Sequence, residues 1–125
     1  MRQVNVKNLN RPGVLPLVAA YCDTFFPRLR GLTFRRTVEP ERGLLLVQKK
    51  DQRLDSAIHM LGVFTDLSIA WINNDNEVVD VCFAKAWRPF YIPKRPCRYV
   101  LEMNPARLDD FQIGDRVSFE EVWID

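Results

Sequence analysis

The residue types that could carry out catalysis are few and widely spaced in this chain. His59 is the only histidine, so any Ser-His-Asp or Cys-His catalytic set would have to include it. Its neighbours Ile58 and Met60 are apolar, which is more typical of a hydrogen-bonded structural histidine than of a reactive one. Asp66 and Cys82 are the other candidate catalytic residues, as supports for His59, but no spacing in the sequence requires either pairing.

A metal site would have to draw on the soft ligands His59, Met60, Cys82 and Cys97. Adjacent residues of a strand point to opposite faces, so His59 and Met60 would not bind one ion together. The sequence therefore predicts no metal and no cofactor. The three cysteines are odd in number and lack CxxC spacing, which predicts buried thiols and a reducing compartment.

Carboxylates and glycines give no catalytic pattern either. The carboxylates suited to acid–base work, Asp66, Asp80, Glu102 and Asp115, are scattered along the chain. Glu102 lies in the apolar run "YVLEM", where we expect it to be buried and paired with an arginine. The five glycines do not cluster, which excludes a phosphate-binding P-loop.

Two basic segments are the strongest candidates for a binding surface. The first, "FPRLRGLTFRR" at residues 26–36, contains Arg30 and Arg35. The second, "AKAWRPFYIPKRPCRY" at residues 84–99, interleaves five Lys and Arg residues with aromatic side chains and three prolines. Prolines make such a loop stiff, and loops on a rigid β scaffold commonly carry binding residues. We predict Arg30, Arg35, Trp87, Arg88 and Tyr91 of these segments as ligand-binding residues, together with His59.

The net charge is only +2, but it is distributed in blocks. Residues 1–53 carry eleven Lys and Arg against four Asp and Glu, and residues 84–98 carry five bases and no acid. Residues 54–83 and 99–125 are acidic. Blocks of opposite sign can neutralise each other across a folded sheet, and we expect that outcome. The alternative is that the two basic blocks form one surface.

Hydrophobic periodicity predicts about eight short strands and two short helices. The helices are expected at "FFPRLRGL", and at "NPARLDDF" with Asn104 as the cap and Pro105 in the first turn. "LSIAWIN" and "VVDVCFAKAW" form a hairpin around the turn "NNDNE". This pattern indicates an all-β fold, an antiparallel β-sandwich or barrel, in a single domain spanning residues 1–125.

The segment "VLPLVAA" at residues 14–20 is too short for a signal peptide and contains a proline. No run of apolar residues approaches transmembrane length, so we expect a cytoplasmic protein without membrane contact.

The order of these segments resembles the family called domain of unknown function 192. The resemblance rests on "RLRGL", "WRP", and "VLE" followed by "GDR", and it spans nearly the whole chain. It implies a jelly-roll type of sandwich or barrel, no established activity, and Arg30 as the best single candidate for an anion contact. Ser68 stands where the family often has an aspartate, which would bear on any shared activity.

These observations favour a non-catalytic β-domain that binds a small anionic ligand or a protein partner. Whether the protein is an enzyme is left open. One alternative is a small enzyme centred on His59. Another, less favoured, is a single-stranded nucleic-acid binder that uses residues 85–99.

Overall fold

The computed structural model describes residues 2–23, 38–53, 65–88 and 91–122. Within them the chain forms seven strands and a short 3-10 helix. The elements are β1 (Gln3–Asn8), β2 (Leu17–Cys22), β3 (Arg42–Gln52), β4 (Leu67–Ile72), β5 (Val78–Ala84), β6 (Cys97–Met103), the 3-10 helix (Pro105–Asp110) and β7 (Val117–Val122).

The seven strands form one sheet in the order β5-β4-β6-β3-β2-β1-β7. All neighbouring pairs are antiparallel except β2 and β3, which are parallel. The all-β class is therefore confirmed, and so is the predicted hairpin β4–β5. The sheet is not closed, so the described residues form neither a closed barrel nor a sandwich of two separate sheets. The jelly-roll arrangement stays a prediction.

Both faces of the central strands are buried. In β4 every residue is buried, with Leu67, Ile69 and Trp71 on one face and Ala70 and Ile72 on the other. Strands buried on both faces lose the alternation of apolar and polar residues. The sheet therefore has two cores. We call them the outer core, which contains Trp71, and the inner core, which contains Ile72.

The inner core joins the two ends of the open sheet. It contains Val78 of β5 together with Val6 of β1 and Val117 of β7, so the sheet curls until its end strands share one core. A β-bridge between Glu77 and Arg116 and backbone hydrogen bonds of Val78 with Gly114 and Asp115 join the two ends directly. The curl brings residues far apart in sequence to one side of the molecule, as the sheet twist permits.

Asp115 connects the turn after β1 with the turn before β7. Its carboxylate accepts hydrogen bonds from Asn8 Nδ2 and Arg11 Nε, both at 2.8 Å, and from the backbone N–H of Gln112 at 2.9 Å. Burial alone would raise the pKa of Asp115, but these hydrogen bonds to the charged form outweigh it and lower the pKa. The turn before β7 is thus held by a carboxylate that stays ionised at neutral pH.

One of the two predicted helices lies within the described residues. Asn104 caps it as expected, since its side chain accepts a hydrogen bond from the N–H of Ala106, and Pro105 lies in its first turn. It is a 3-10 helix of six residues. The other helix was predicted at "FFPRLRGL", which lies outside the described residues.

Gly43 is required by close packing between β3 and its neighbours. A Cβ atom at this position would lie 2.8 Å from Cδ1 of Leu17 and 2.9 Å from the backbone oxygen of Glu102. Atoms at these distances overlap, and the backbone oxygen cannot move without disturbing the β3–β6 ladder. The strand therefore has room for glycine only.

We expect Gly43→Ala to lower the free energy of unfolding by about 1–3 kcal/mol because of this overlap. Gly13→Ala is the matched control, since nothing lies within 4 Å of a Cβ atom there. Urea unfolding of both variants measures the difference. Equal stability of the two variants would contradict the packing described here.

Candidate functional site

Three exposed large apolar side chains lie around one loop in the second half of the chain. We call this surface the basic rim and define it as residues 83–88 and 91–95. Phe83, Trp87 and Ile92 are exposed by 40%, 51% and 46%. Four exposed cations lie among them: Lys85, Arg88, Lys94 and Arg95. The rim thus combines apolar and cationic groups at the edge strand β5.

Backbone hydrogen bonds to side chains hold the first half of the rim in place. The N–H of Lys85 donates to the hydroxyl of Tyr91 at 2.8 Å, and the N–H of Ala86 donates to Oδ1 of Asp66 at 2.8 Å. Trp87 follows with a φ of +65°, a conformation that side-chain-bearing residues rarely adopt. The indole is therefore presented by an unusual backbone conformation within a hydrogen-bonded turn.

Asp80 holds the second half of the rim. Its Oδ2 accepts the N–H of Lys94 at 2.9 Å, while its Oδ1 accepts the N–H of Val81 at 2.9 Å. The same carboxylate therefore binds the backbone of β5 and the backbone of the loop that leads to β6. Arg53 adds a link from the end of β3, since its Nε donates to the backbone oxygen of Pro93 at 2.8 Å.

Ion pairs do not neutralise the cations of the rim within the described part of the chain. None of Lys85, Arg88, Lys94 and Arg95 forms an ion pair with another residue in the described part of the chain. Arg98, the remaining base of this block, donates to the backbone oxygen of Gln48 and to Oδ1 of Asn74. Mutual neutralisation, which we expected, therefore does not occur for the rim within the described residues.

The structure places the predicted site residues in two groups. Trp87 and Arg88 are exposed on the rim, whereas Tyr91 is half-buried against the outer core and serves as the acceptor for Lys85. Arg30, Arg35 and His59 lie outside the described residues, and their roles stay predictions.

Phe83 of the rim lies outside the predicted basic segment, and Ile92 lies inside it but was not named as a binding residue. Phe83 is the next-to-last residue of an apolar strand and Ile92 lies between Tyr91 and Pro93, so neither pattern signals exposure.

Asp66 and Cys82, the residues predicted to support a catalytic His59, make other contacts in the structure. Asp66 accepts the Ala86 N–H and so positions the rim. Burial, with a smaller effect of the nearby Asp80 charge, raises the pKa of the Cys82 thiol to about 12. Cys82 is therefore protonated at neutral pH, and a thiolate nucleophile is disfavoured there. A joint role of either residue with His59 stays a prediction.

A metal site is not assembled by the described residues. No group of three or more His, Cys, Asp or Glu residues comes together among them. Within the same residues, no helix is both long enough and apolar enough to cross a lipid bilayer. None of the three cysteines forms a disulfide.

Ser68 has a structural role in this chain. Its hydroxyl is buried and donates to the backbone oxygen of Asn104 at 2.7 Å. Asn104 in turn caps the 3-10 helix and donates from Nδ2 to the backbone oxygen of Val38. Ser68 therefore helps to hold the 3-10 helix against β4, at a position where the resembled family often has an aspartate.

A cleft of about 500 Å³ lies away from the rim, beside Arg107. The Arg107 side chain is buried and donates to Asp110 and to the backbone oxygens of Pro40 and Leu15. Because its hydrogen bonds are directed to these protein acceptors, Arg107 is a poor candidate for binding an anion from solution. The lining residues are Gly13, Val14, Leu15, Pro16, Pro40, Glu41, Arg107 and Asp110.

Glu102 differs from the other carboxylates discussed above. It lies on the outer face of β6, directly opposite Leu44 of β3 and Ile69 of β4, and is only 5% exposed. Burial raises the pKa of Glu102 to about 7. Its burial was predicted, but no arginine pairs with its carboxyl group among the described residues.

The sequence also matches a known protein family. A model of the DUF192 family, described as an uncharacterized ACR, matches residues 8–119. The chain belongs to the DUF192 family. The predicted resemblance is confirmed, and with it the absence of an established function.

Curated relatives in this family are named only as UPF0127 proteins. UPF0127 protein PF1050 of Pyrococcus furiosus is 28% identical over 117 residues, which cover 92% of this chain and 97% of the relative. A UPF0127 protein of Thermococcus gammatolerans is 35% identical over 100 residues, covering 78% of this chain and 63% of that longer relative.

Solved structures share the fold at low identity. A Sinorhizobium meliloti protein, suggested to be a transcription regulator, superposes with a TM-score of 0.80 at 20% identity, covering 94% of this chain and 92% of that one. A Novosphingobium aromaticivorans protein of unknown function gives a TM-score of 0.75 at 22% identity, with coverage of 93% and 83%. At these identities the likeness shows the fold alone.

The role of Asp80 can be tested by Asp80→Asn. An asparagine retains one acceptor oxygen, so one of the two N–H groups, of Val81 or Lys94, loses its partner. We expect faster amide hydrogen exchange at Lys94 and a loss of about 1–3 kcal/mol in unfolding free energy. The measurement is NMR-detected exchange, with Asp75→Asn at an exposed position as the control. Unchanged protection of the Lys94 amide would contradict the hydrogen bond from this amide to Asp80.

The burial of Glu102 predicts that the free energy of unfolding depends on pH in an unusual way. Its ordinary pKa of 4.5 applies to the unfolded chain and the raised pKa of about 7 to the folded one. Between these values the folded state binds the proton and the unfolded state does not, so stability falls as pH rises. This one group accounts for a decline of about 3 kcal/mol from pH 4.5 to above pH 7.

We expect Glu102→Gln to remove this part of the decline, because the amide does not titrate. Urea unfolding between pH 4.5 and pH 8.5 is the measurement. Glu120→Gln, at an exposed position of β7, should keep the wild-type dependence. A Glu102→Gln profile parallel to the wild-type profile would show that the carboxyl does not titrate with a raised pKa.

Proposed function

We propose that this domain is a non-catalytic binding module that holds a small anionic ligand on the basic rim. The observation that carries the proposal is the set of exposed cations without ion-pair partners among the described residues, placed around an exposed indole. Lys and Arg supply the charge, and the face of Trp87 supplies a flat apolar surface for a planar group of the ligand.

The fixed conformation of the rim supports binding without a large ordering cost. Side-chain acceptors on Asp66, Asp80 and Tyr91 hold three backbone N–H groups of the loop. Loop residues whose backbone is held by such hydrogen bonds lose little conformational entropy when a ligand binds. Binding residues on a stable sheet edge are also a common arrangement in β-domains.

A second candidate function, single-stranded nucleic-acid binding, is favoured by one further observation. Exposed Lys49, Lys50 and Arg53 at the end of β3 adjoin the rim, because Arg53 contacts Pro93 and Gln52 pairs with Cys97. The basic surface thus extends beyond the loop. An extended cationic track with an aromatic platform suits a phosphate chain.

The three reduced cysteines support a cytoplasmic location, which we propose together with this function. Cys22 and Cys97 are buried, and Cys82 is half-buried.

The test is a fluorescence titration with pyrophosphate, citrate, ATP and a fifteen-nucleotide oligothymidylate. We expect at least one of the three small anions to bind, and Arg88→Gln to weaken that binding about tenfold, the effect of losing one charged hydrogen bond. Lys7→Gln removes an exposed cation from β1 and should leave the affinity unchanged. Trp87→Phe shows which part of the signal comes from the rim indole.

The salt dependence separates the two candidate functions. Oligothymidylate binding that is stronger than small-anion binding and has a steep salt slope would identify the nucleic-acid function. Equal effects of Arg88→Gln and Lys7→Gln would mean that the anion does not bind at the rim. Absence of binding by every probe would contradict both candidates.

A further inference from the structure

The cleft beside Arg107 is open to solvent and has mainly apolar walls. Its volume of about 500 Å³ is typical of sites that bind small molecules. The apolar walls come from Val14, Leu15 and Pro16 on the turn before β2 and from Pro40 on the turn before β3. Leu15 is 76% exposed, so this apolar surface is accessible to a ligand.

Arg107 joins the two turns that line the cleft. Its buried guanidinium donates from Nη1 to the backbone oxygen of Pro40 at 2.7 Å and from Nη2 to the backbone oxygen of Leu15. The Nε group donates to Oδ2 of Asp110 on the 3-10 helix. Both walls are therefore held in place by the protein itself, which lowers the cost of ordering them when a ligand binds.

The carboxylates that line the cleft outnumber its cations. Glu41 is exposed, and in the described part of the chain its carboxylate forms no ion pair and accepts no hydrogen bond. Asp110 is paired with Arg107 through Oδ2 alone. Arg42 follows Glu41 in the sequence but donates to Oε1 of Gln3 instead. With two carboxylates and one guanidinium in its lining, the cleft is left with a net negative charge.

This combination of charge and apolar surface selects the chemistry of a ligand. An anion would be repelled by the carboxylates, and the donors of Arg107 are already directed to protein acceptors. A metal ion needs several oxygen ligands, whereas no group of three acidic, His or Cys side chains comes together among the described residues. An organic cation with an apolar body gains both an ion pair and the burial of apolar surface.

We propose that this cleft is a second binding site, for a small organic cation that carries a primary ammonium or guanidinium group on an apolar body. The cation pairs with the Glu41 carboxylate. The apolar body covers Val14, Leu15 and Pro40. The site is separate from the rim, because its residues belong to the turns before β2 and β3 and to the 3-10 helix.

The experiment is a titration of the full chain with phenylbutylammonium, followed by NMR through the amide signals of Val14, Leu15 and Glu41. Phenylbutanol and phenylbutyrate carry the same apolar body with no charge and with a negative charge. We expect the cation to half-saturate the shifts at a concentration about fivefold lower than the alcohol does, the effect of one exposed ion pair. Phenylbutyrate should bind more weakly than either.

Two variants of Glu41 test the ion pair. Glu41→Gln should remove the advantage of the cation over the alcohol, while Glu120→Gln, at an exposed position of β7, should keep it. Glu41→Lys should reverse the preference, so that phenylbutyrate binds more tightly than phenylbutylammonium. Because the Glu41 side chain is exposed and makes no hydrogen bond among the described residues, both variants should keep the fold, which the dispersion of the amide signals reports.

Three outcomes would overturn the proposal. These are equal affinities of the wild-type chain for the cation and the alcohol, an unchanged affinity for the cation in Glu41→Gln, and no shift of the three amides at the solubility limit of the probe. The rim variant Arg88→Gln should leave this titration unchanged. Failure of cation binding in the cleft is therefore distinguishable from failure of anion binding at the rim.

Discussion

The burial of the central strands on both faces is the constraint on which the rest of the structure depends. Every residue of β4 is buried, and β6 beside it has four buried residues in succession at its end. Apolar surface removed from water on both sides gives these strands a large stabilising contribution, about 25 cal/mol per Å². In return, each polar group in them must find a partner or lose its charge. Ser68 finds one in the Asn104 backbone oxygen, whereas Glu102 favours the neutral form up to about pH 7.

The same constraint moves exposed binding groups to the edge of the sheet. A double-sided core leaves little exposed surface on the central strands, so cations and aromatic side chains collect where β5 ends and the chain turns towards β6. Asp80 connects these two regions. Its position opposite Trp71 in the β4–β5 ladder belongs to the outer core, and its carboxylate fastens the rim. The stability of the sheet and the conformation of the rim therefore depend on one another.

Hydration explains why exposed and buried charged groups of this sheet behave differently. At the rim, exposed cations keep their hydration and can exchange it for an anion at small cost. On the outer face of β6, by contrast, the Glu102 carboxyl loses its hydration when the chain folds, and this burial raises its pKa to about 7. Membership in the DUF192 family assigns no role to the rim, because the family is described as uncharacterized.

The sequence alone determined the strands, the β4–β5 hairpin, the Asn104 cap and the family, because these depend on local periodicity, turn residues and the order of short motifs. It also identified Trp87 and Arg88, which the structure exposes on one loop. Only the tertiary structure decided the parallel pairing of β2 and β3 and the single open sheet, since both depend on contacts between distant segments. It also decided that Tyr91 supports the loop and that the rim cations have no ion-pair partners among the described residues, because partner choice is set by sheet register.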